Sequence, residues 1–276
     1  MRYLRIFAVV IFVVSLLFAF WANVRYNNNT NRDFPVLHNQ YPELTLSVDD
    51  PPEAIMKGLT AEDATDGDIT DRIMVASTSH FLEDNTISVK YVVFDSHNNS
   101  ATTTRRVTYT DYQSPRFSLT KSPVYTRGEP FDLLDYITAT DDLDGDITDR
   151  IRVVTNAVSN YNTGMYPFII EVSNSCGDTQ QLTIWVSYKD KSNNVKINLH
   201  EHILYLEQGD DFEPKDWIAS VFDDQNQPLD MDKIRIMGNL DPQTPGCYQM
   251  LYTYEDGKLE GESDMIVVVL EQEETE

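Results

Sequence analysis

The residues best placed to do chemistry in this 276-residue chain are eight aspartates in two matching sets. Asp63, Asp66, Asp68 and Asp71 crowd one short segment, and Asp141, Asp144, Asp146 and Asp149 crowd another. Carboxylates held this close repel unless a cation or hydrogen-bond donors neutralise them. Ca²⁺ takes about six to eight oxygen ligands, so each set is a candidate metal site. The spacing lacks the ligand order and closing Glu of an EF-hand loop. A second reading is structural. Asp caps turns through nearby backbone N–H groups, Gly67 and Gly145 supply unusual backbone angles, and Ile69 and Ile147 plug a core. Arg72 and Arg150 are positioned to neutralise a neighbouring acid. The structural reading needs no cofactor and is the one expected, with Ca²⁺ as the alternative.

Other reactive types are sparse. His200 and His202 lie two apart and would share a face of a strand, but no third ligand accompanies them, so an exposed strand edge is expected. Cys176 and Cys247 fall at non-equivalent positions, where a bridge would have to cross between modules; separate, at least partly buried thiols are expected. Trp185 and Trp217 sit in apolar strand contexts and are expected in cores. No nucleophile elbow, phosphate loop, HExxH helix or Ser/His/Asp set is present, and carboxylates repeated in matching loops argue against a catalytic pair, which is needed once. The chain is therefore read as a non-enzyme. With 21 basic against 45 acidic residues, it is also excluded from nucleic-acid binding, which needs a basic footprint.

The elements that hold these residues repeat. Asp66 to Ile73 recurs unchanged as Asp144 to Ile151, and at the same offset Ala61 matches Ala139. Further along, Ile87, Val89, Tyr91 and Val93 alternate with other residues before Asp95 and Asn98. The series Tyr166, Phe168, Ile170, Val172 runs on to Asn174 and Gly177. A third, Tyr248, Met250, Tyr252, Tyr254, runs on to Asp256 and Gly257. Period-two runs ending in Asp, Asn or Gly are strands leading into turns. The third copy lacks the acidic loop but keeps its flanks, with Phe212 to Ile218 resembling Phe131 to Ile137. Three tandem β-sandwiches are expected, at residues 39–111, 112–190 and 191–271.

On Thr140-Asp141-Asp142-Leu143-Asp144-Gly145-Asp146-Ile147-Thr148 with Ile151, followed by Gly164-x-Tyr166 and the alternating strand, the chain resembles the bacterial immunoglobulin-like domain named after pesticidal crystal proteins. The second repeat carries the pattern best. The first matches from Ala61 to Ile73 but has Thr86-Ile87 in place of Gly-x-Tyr. The third has Phe222-Asp223-Asp224-Gln225-Asn226-Gln227 where the acidic motif would stand. The resemblance implies an all-β immunoglobulin-like sandwich used as a spacer or binding module in exported proteins, with no single activity attached.

Residues 6–22 form an uncharged apolar run of 17, flanked by Arg2, Arg5 and Arg25. At 1.5 Å per residue it would cover about 26 Å, near the thickness of a thin bilayer. Phe20 makes a poor cleavage site and Trp21 suits an interface, so residues 1–25 are expected to be an uncleaved single-pass signal-anchor, N-terminus cytoplasmic. Residues 26–38 then form a linker and 272–276 an acidic tail. Beyond the three arginines of residues 1–25, 18 basic and 45 acidic residues leave a net charge of −27 on the exported part. The expected function is an extracytoplasmic, non-catalytic spacer, adhesion or interaction module with a surface protein or glycan as partner. The alternative is a Ca²⁺- or carbohydrate-binding accessory module of an envelope enzyme system.

Overall fold

A computed structural model describes residues 11–22, 24, 34–83, 85–190 and 194–271. Residues 11–22 are helical with exposed side chains. Among the described residues no helix is long and apolar enough to cross a membrane. The first part of the expected span, residues 6–10, lies outside the described residues, as do the flanking Arg2, Arg5 and Arg25, most of the linker and the tail 272–276. Everything else described is β-strand joined by turns and short 3₁₀ segments. The chain divides into two compact units, Met1–Asp111 and Tyr112–Glu276.

The first unit holds β1 (Val36–Asn39), β2 (Glu43–Leu46), β3 (Leu59–Asp63), β4 (Gly67–Asp68), β5 (Met74–Thr78), β6 (Thr86–Phe94) and β7 (Ser100–Tyr109). They form a three-stranded sheet in the order β1-β3-β4 and a four-stranded sheet in the order β2-β7-β6-β5, in which β2 runs parallel to β7. The alternating residues Ile87, Val89, Tyr91 and Val93 of β6 are all buried, as β-branched and aromatic side chains on one face of a strand should be. Arg105 is buried with them. Its guanidinium donates to the Lys57 carbonyl at 2.8 Å and the Asn39 side chain at 2.9 Å, and lies 5.1 Å from the Tyr91 ring centre. Nothing in its Thr-rich neighbourhood marks this arginine as internal.

The second unit repeats the plan with β8 (Arg116–Leu119), β9 (Val124–Thr126), β10 (Ile137–Asp141), β11 (Gly145–Asp146), β12 (Arg152–Asn156), β13 (Gly164–Ser173) and β14 (Thr179–Lys189). It continues with β15 (Val195–Leu199), β16 (Ile203–Glu207), β17 (Ile218–Asp223), β18 (Ile234–Met237), β19 (Gly246–Asp256) and β20 (Leu259–Leu270). The sheets β9-β14-β13-β12 and β16-β20-β19-β18 have the order of β2-β7-β6-β5, each with its first strand parallel to its last. Even the irregularity recurs: the ladder slips between Val75 and Ser77 and again between Val153 and Thr155. The smaller sheets are β11-β10-β8 and β15-β17. The last has no third strand because the chain after β17 lacks the acidic loop whose Gly-Asp makes β4 and β11.

The expected boundary at residues 190/191 falls inside the second unit, and the reason is a shared core. Ile203 of β16 and Ile266 of β20 belong to the cluster built by Phe117, Leu119, Phe168 and Ile184, whereas Leu206 and Val267 belong to the cluster of Val195, Val221 and Tyr252. Alternation along β16 and β20 thus feeds one side chain to each core in turn. Hydrogen bonds stitch the seam: His202 N–H donates to the Leu119 carbonyl at 3.2 Å, and the Tyr205 hydroxyl accepts from Phe117 N–H at 2.9 Å.

Asp264 sits in this seam at 2% exposure, accepting from the Gln249 amide at 2.9 Å through one oxygen while the other has no partner. Burial pushes its carboxyl from the usual 3.8 up to about 7; the Gln249 bond and Lys189 oppose the shift, and Glu262 adds to it. A raised carboxylate pKa contributes stability that is fully present below about pH 4 and is lost as pH rises through about 7. Asp264→Asn should therefore match the wild type near pH 4 and exceed it by on the order of 3–4 kcal/mol at pH 8. Urea unfolding at the two pH values measures this, and an equal gap at both would contradict it.

Candidate cation-binding loops

Each acidic loop begins where a strand delivers a buried aspartate to a turn. Asp141 closes β10, and its Oδ1 accepts from Leu143 N–H at 3.0 Å and Asp144 N–H at 2.9 Å. Asp63 closes β3 and accepts from Thr65 N–H at 2.8 Å and Asp66 N–H at 2.9 Å. This is the turn that Asp makes with its own following amides. Gly145 and Gly67 then take φ of 70° and 74°, a left-handed angle open to glycine. Ile147 and Ile69 follow, both fully buried. Asp146 and Asp68 each accept from the backbone N–H two residues on, of Thr148 and Thr70.

The central carboxylates cross-link the loop to the strand hairpin. Asp144 accepts from the Ser175 amide and hydroxyl, both at 2.7 Å, and from Arg150 Nη1. Asp66 accepts from the Ser96 amide at 2.7 Å, the Ser96 hydroxyl at 2.8 Å and Arg72 Nη1 at 2.7 Å. The Ser96 hydroxyl, with Arg72, holds the Asp66 carboxyl below the usual range. For Asp144, burial pushes upward but is outweighed by Ser175 and Arg150. The Thr70 and Thr148 side chains lower Asp68 and Asp146. Asp71 and Asp149 are exposed. Within each loop the carboxylates are thus distributed over separate donors, and among the described residues no group of three or more His, Cys, Asp or Glu is placed to hold a metal ion.

The repeats differ at one point. In the second, Asp141 Oδ2 lies 3.0 Å from the Tyr112 hydroxyl and accepts from Asn174 Nδ2 at 3.1 Å; the same hydroxyl reaches Asp178 at 2.8 Å. Burial and the Asp178 bond push the Tyr112 phenol up. In the first, Asp63 is 6% exposed and its Oδ2 has no hydrogen-bond partner. The place of Asn174 is taken by Asp95, 5% exposed. Burial pushes the Asp95 carboxyl up, but donors from Asn99 and His97 overcome this and keep it low. Ser96, Ser175 and Tyr112 escaped the sequence reading, and Asp95 and Asn174 entered it only as turn residues, although a serine directly after the hairpin Asp or Asn in both repeats was the available signal.

The remaining expectations fare differently. His200 is exposed and His202 buried, with Nδ1 2.7 Å from the Asp264 carbonyl; they lie between β15 and β16, so no exposed edge carries the pair. Cys176 is a buried free thiol, its pKa raised by burial, and Cys247 is free and exposed. Trp217 packs against the core of the second cluster. Trp185 does not enter a core: it is 43% exposed, on the outer face of β14, and borders a crevice of about 190 Å³ with Thr183, Cys247, Tyr248, Gln249 and Ile266.

No protein-family model matches the chain. A 142-residue stretch is 29% identical to the pesticidal crystal protein Cry22Aa of Bacillus thuringiensis, covering 49% of this chain and 19% of that protein. Among solved structures, the M60 catalytic domain with two CBM51 domains from Clostridium perfringens ZmpB aligns over 88% of this chain and 31% of its own, at 12% identity and a TM-score of 0.25. The lipoprotein BT2262 from Bacteroides thetaiotaomicron aligns over 84% and 98%, at 13% identity and 0.22. The protocadherin GammaB4 extracellular domain aligns over 87% and 50%, at 12% identity and 0.21. TM-scores of this size transfer neither fold nor function.

Tyr112→Phe removes the hydroxyl whose one hydrogen Asp141 and Asp178 share and should cost about 1–3 kcal/mol. The loss should appear in urea unfolding of the second unit followed by tryptophan fluorescence. A change below about 0.5 kcal/mol would show that Asn174 alone satisfies Asp141.

Proposed function

We propose that this chain is a membrane-anchored, extracytoplasmic, non-catalytic protein. Its three tandem immunoglobulin-like sandwiches, at residues 39–111, 112–190 and 191–271, are of the pesticidal-crystal-protein type and serve as a spacer, adhesion or interaction module. The observation that carries the reading is the duplication of one hydrogen-bond network. Asp66 with Arg72 and Ser96, and Asp144 with Arg150 and Ser175, occupy the same structural role twice. Polar residues that could have formed an active site are committed to holding a turn against a hairpin. The recurrence of one sheet order in three four-stranded sheets supports a chain built by repetition. The apolar run of residues 6–22 and its arginines support the anchor and its orientation.

A glycan as partner is favoured by Trp185, whose exposed indole beside Tyr248 and Gln249 offers a stacking face with a polar neighbour. Protease added to cells with any outer barrier opened should digest residues 39–271, and complete protection would overturn the topology. Crosslinking on whole cells should retain a surface protein or glycan, with glycan capture lost in Trp185→Ala. Turnover of a glycan or peptide by the purified chain, abolished by one Asp→Asn change, would replace this reading with a hydrolase.

A further inference from the structure

Trp185 stands out when the hairpins of the two repeats are matched. Asp95 and Asn174 each donate N–H to the carbonyl four residues on, which fixes the equivalence of the hairpins β6–β7 and β13–β14. On the face turned away from the core, the first repeat pairs Ser88 with Arg106 and Lys90 with Thr104. At the same places the second pairs Pro167 with Trp185 and Ile169 with Thr183. Arg106 holds an ion pair with Glu83, as an outward position allows. The threonine is kept, while Ser88, Lys90 and Arg106 give way to apolar residues. Core packing does not account for the change, because Ile184 and Val186, which alternate with Trp185, are the residues that fill the core. Part of the altered face meets β20, where Ile266 is buried, but the indole of Trp185 remains 43% exposed beside the crevice it borders.

That crevice, of about 190 Å³, has room for one six-membered sugar ring. None of the six residues around it is charged, in a chain with 45 acidic and 21 basic residues. An acidic ligand would meet the field of the whole chain with no cation to hold it, so the lining suits a neutral one. Gln249 gives one amide N–H to Asp264 at 2.9 Å, which orients the amide and leaves it an oxygen and a second N–H. Thr183 adds a hydroxyl. We propose that this crevice binds a neutral, equatorially substituted pyranose, its ring face on the Trp185 indole and its rim hydroxyls on Gln249 and Thr183. Axial C–H bonds are weakly positive and the indole face is negative, so the two stack when no axial oxygen holds them apart. The inference rests on the reading of the chain as a glycan-contacting module and names the sugar class and the place that takes it.

Cys247, an exposed thiol lining the crevice, reports occupancy through its rate of alkylation by N-ethylmaleimide, with buried Cys176 as the internal control. The full chain is used in a detergent without a sugar headgroup. Methyl β-glucopyranoside should slow Cys247 several-fold, half-maximally at about 1 mM, and leave Cys176 unchanged. Methyl α-mannopyranoside, with an axial oxygen on each face, and methyl β-glucuronide, with a charge, should each bind about tenfold more weakly. Trp185→Ala should raise the half-maximal concentration about tenfold and Trp185→Phe by less. Thr183→Val, which keeps the shape, should raise it several-fold even if Trp185→Ala loosens the fold. No protection by the glucoside at about 100 mM would overturn the proposal. So would equal protection by the glucuronide, the mannoside or glycerol, or an unaltered affinity in Trp185→Ala. Whole-cell crosslinking separates this from the broader reading. A surface partner retained equally by wild type and Trp185→Ala, with Cys247 unprotected, would refute the crevice and leave the module standing; protection of Cys247 with no surface partner would do the reverse.

Discussion

A carboxylate buried at the end of a strand must find donors, and the architecture of this protein is organised around meeting that demand. Asp63 and Asp141 each gather the next two available amides into a turn. Half-buried Asp223, ending β17, makes a related turn with the amides of Gln225 and Gln227, two and four residues on, as Asp95 does with His97 and Asn99. Once the turn is fixed, the glycine that follows can reverse the chain and the isoleucine after it can drop into the core. The next acid is then set against the hairpin serine. The hydrophobic contribution of Ile69 or Ile147 and the electrostatic one of Asp66 or Asp144 are thus consequences of the first turn.

This constraint also explains why so acidic a chain folds without evident self-repulsion in its loops. The acids are separated by being assigned to different donors, so that crowding in sequence is not crowding in space. The pH consequences run in opposite directions. Loop carboxylates with lowered pKa contribute stability above the ordinary carboxylate range and lose it as pH falls. Asp264 behaves in the reverse sense, because its burial in the seam lacks a full set of donors.

Much of the β-structure was legible in the sequence because period-two alternation reports burial on one face directly. Ile87 to Val93 and Phe168 to Val172 are internal for the reason that makes them alternate. The turn made by Asp63 and Asp141 and the burial of Ile69 and Ile147 were legible as well, since duplication displays which residues act as a set. What stayed hidden depended on partners distant in sequence. Trp185 sits in an apolar stretch, yet its face of β14 lies outside either core. His202 is buried because the seam between β8 and β16 closes over it, and no local pattern encodes a seam. Asp95 and Asn174 look interchangeable as turn residues, yet Asn174 donates to Asp141 and the Tyr112 hydroxyl whereas Asp95 accepts from His97 and Asn99.

The parallel pairing of the first and last strands in each four-stranded sheet has a mechanical side. In β2·β7, β9·β14 and β16·β20 the strand entering the sheet and the strand leaving it lie side by side and point the same way. Tension applied at the two ends of such a pair pulls the strands past each other. All the inter-strand bonds are then loaded at once, in shear, rather than being unzipped one after another. A chain pulled from its two ends would meet this resistance three times over, at the same topological point in each sheet.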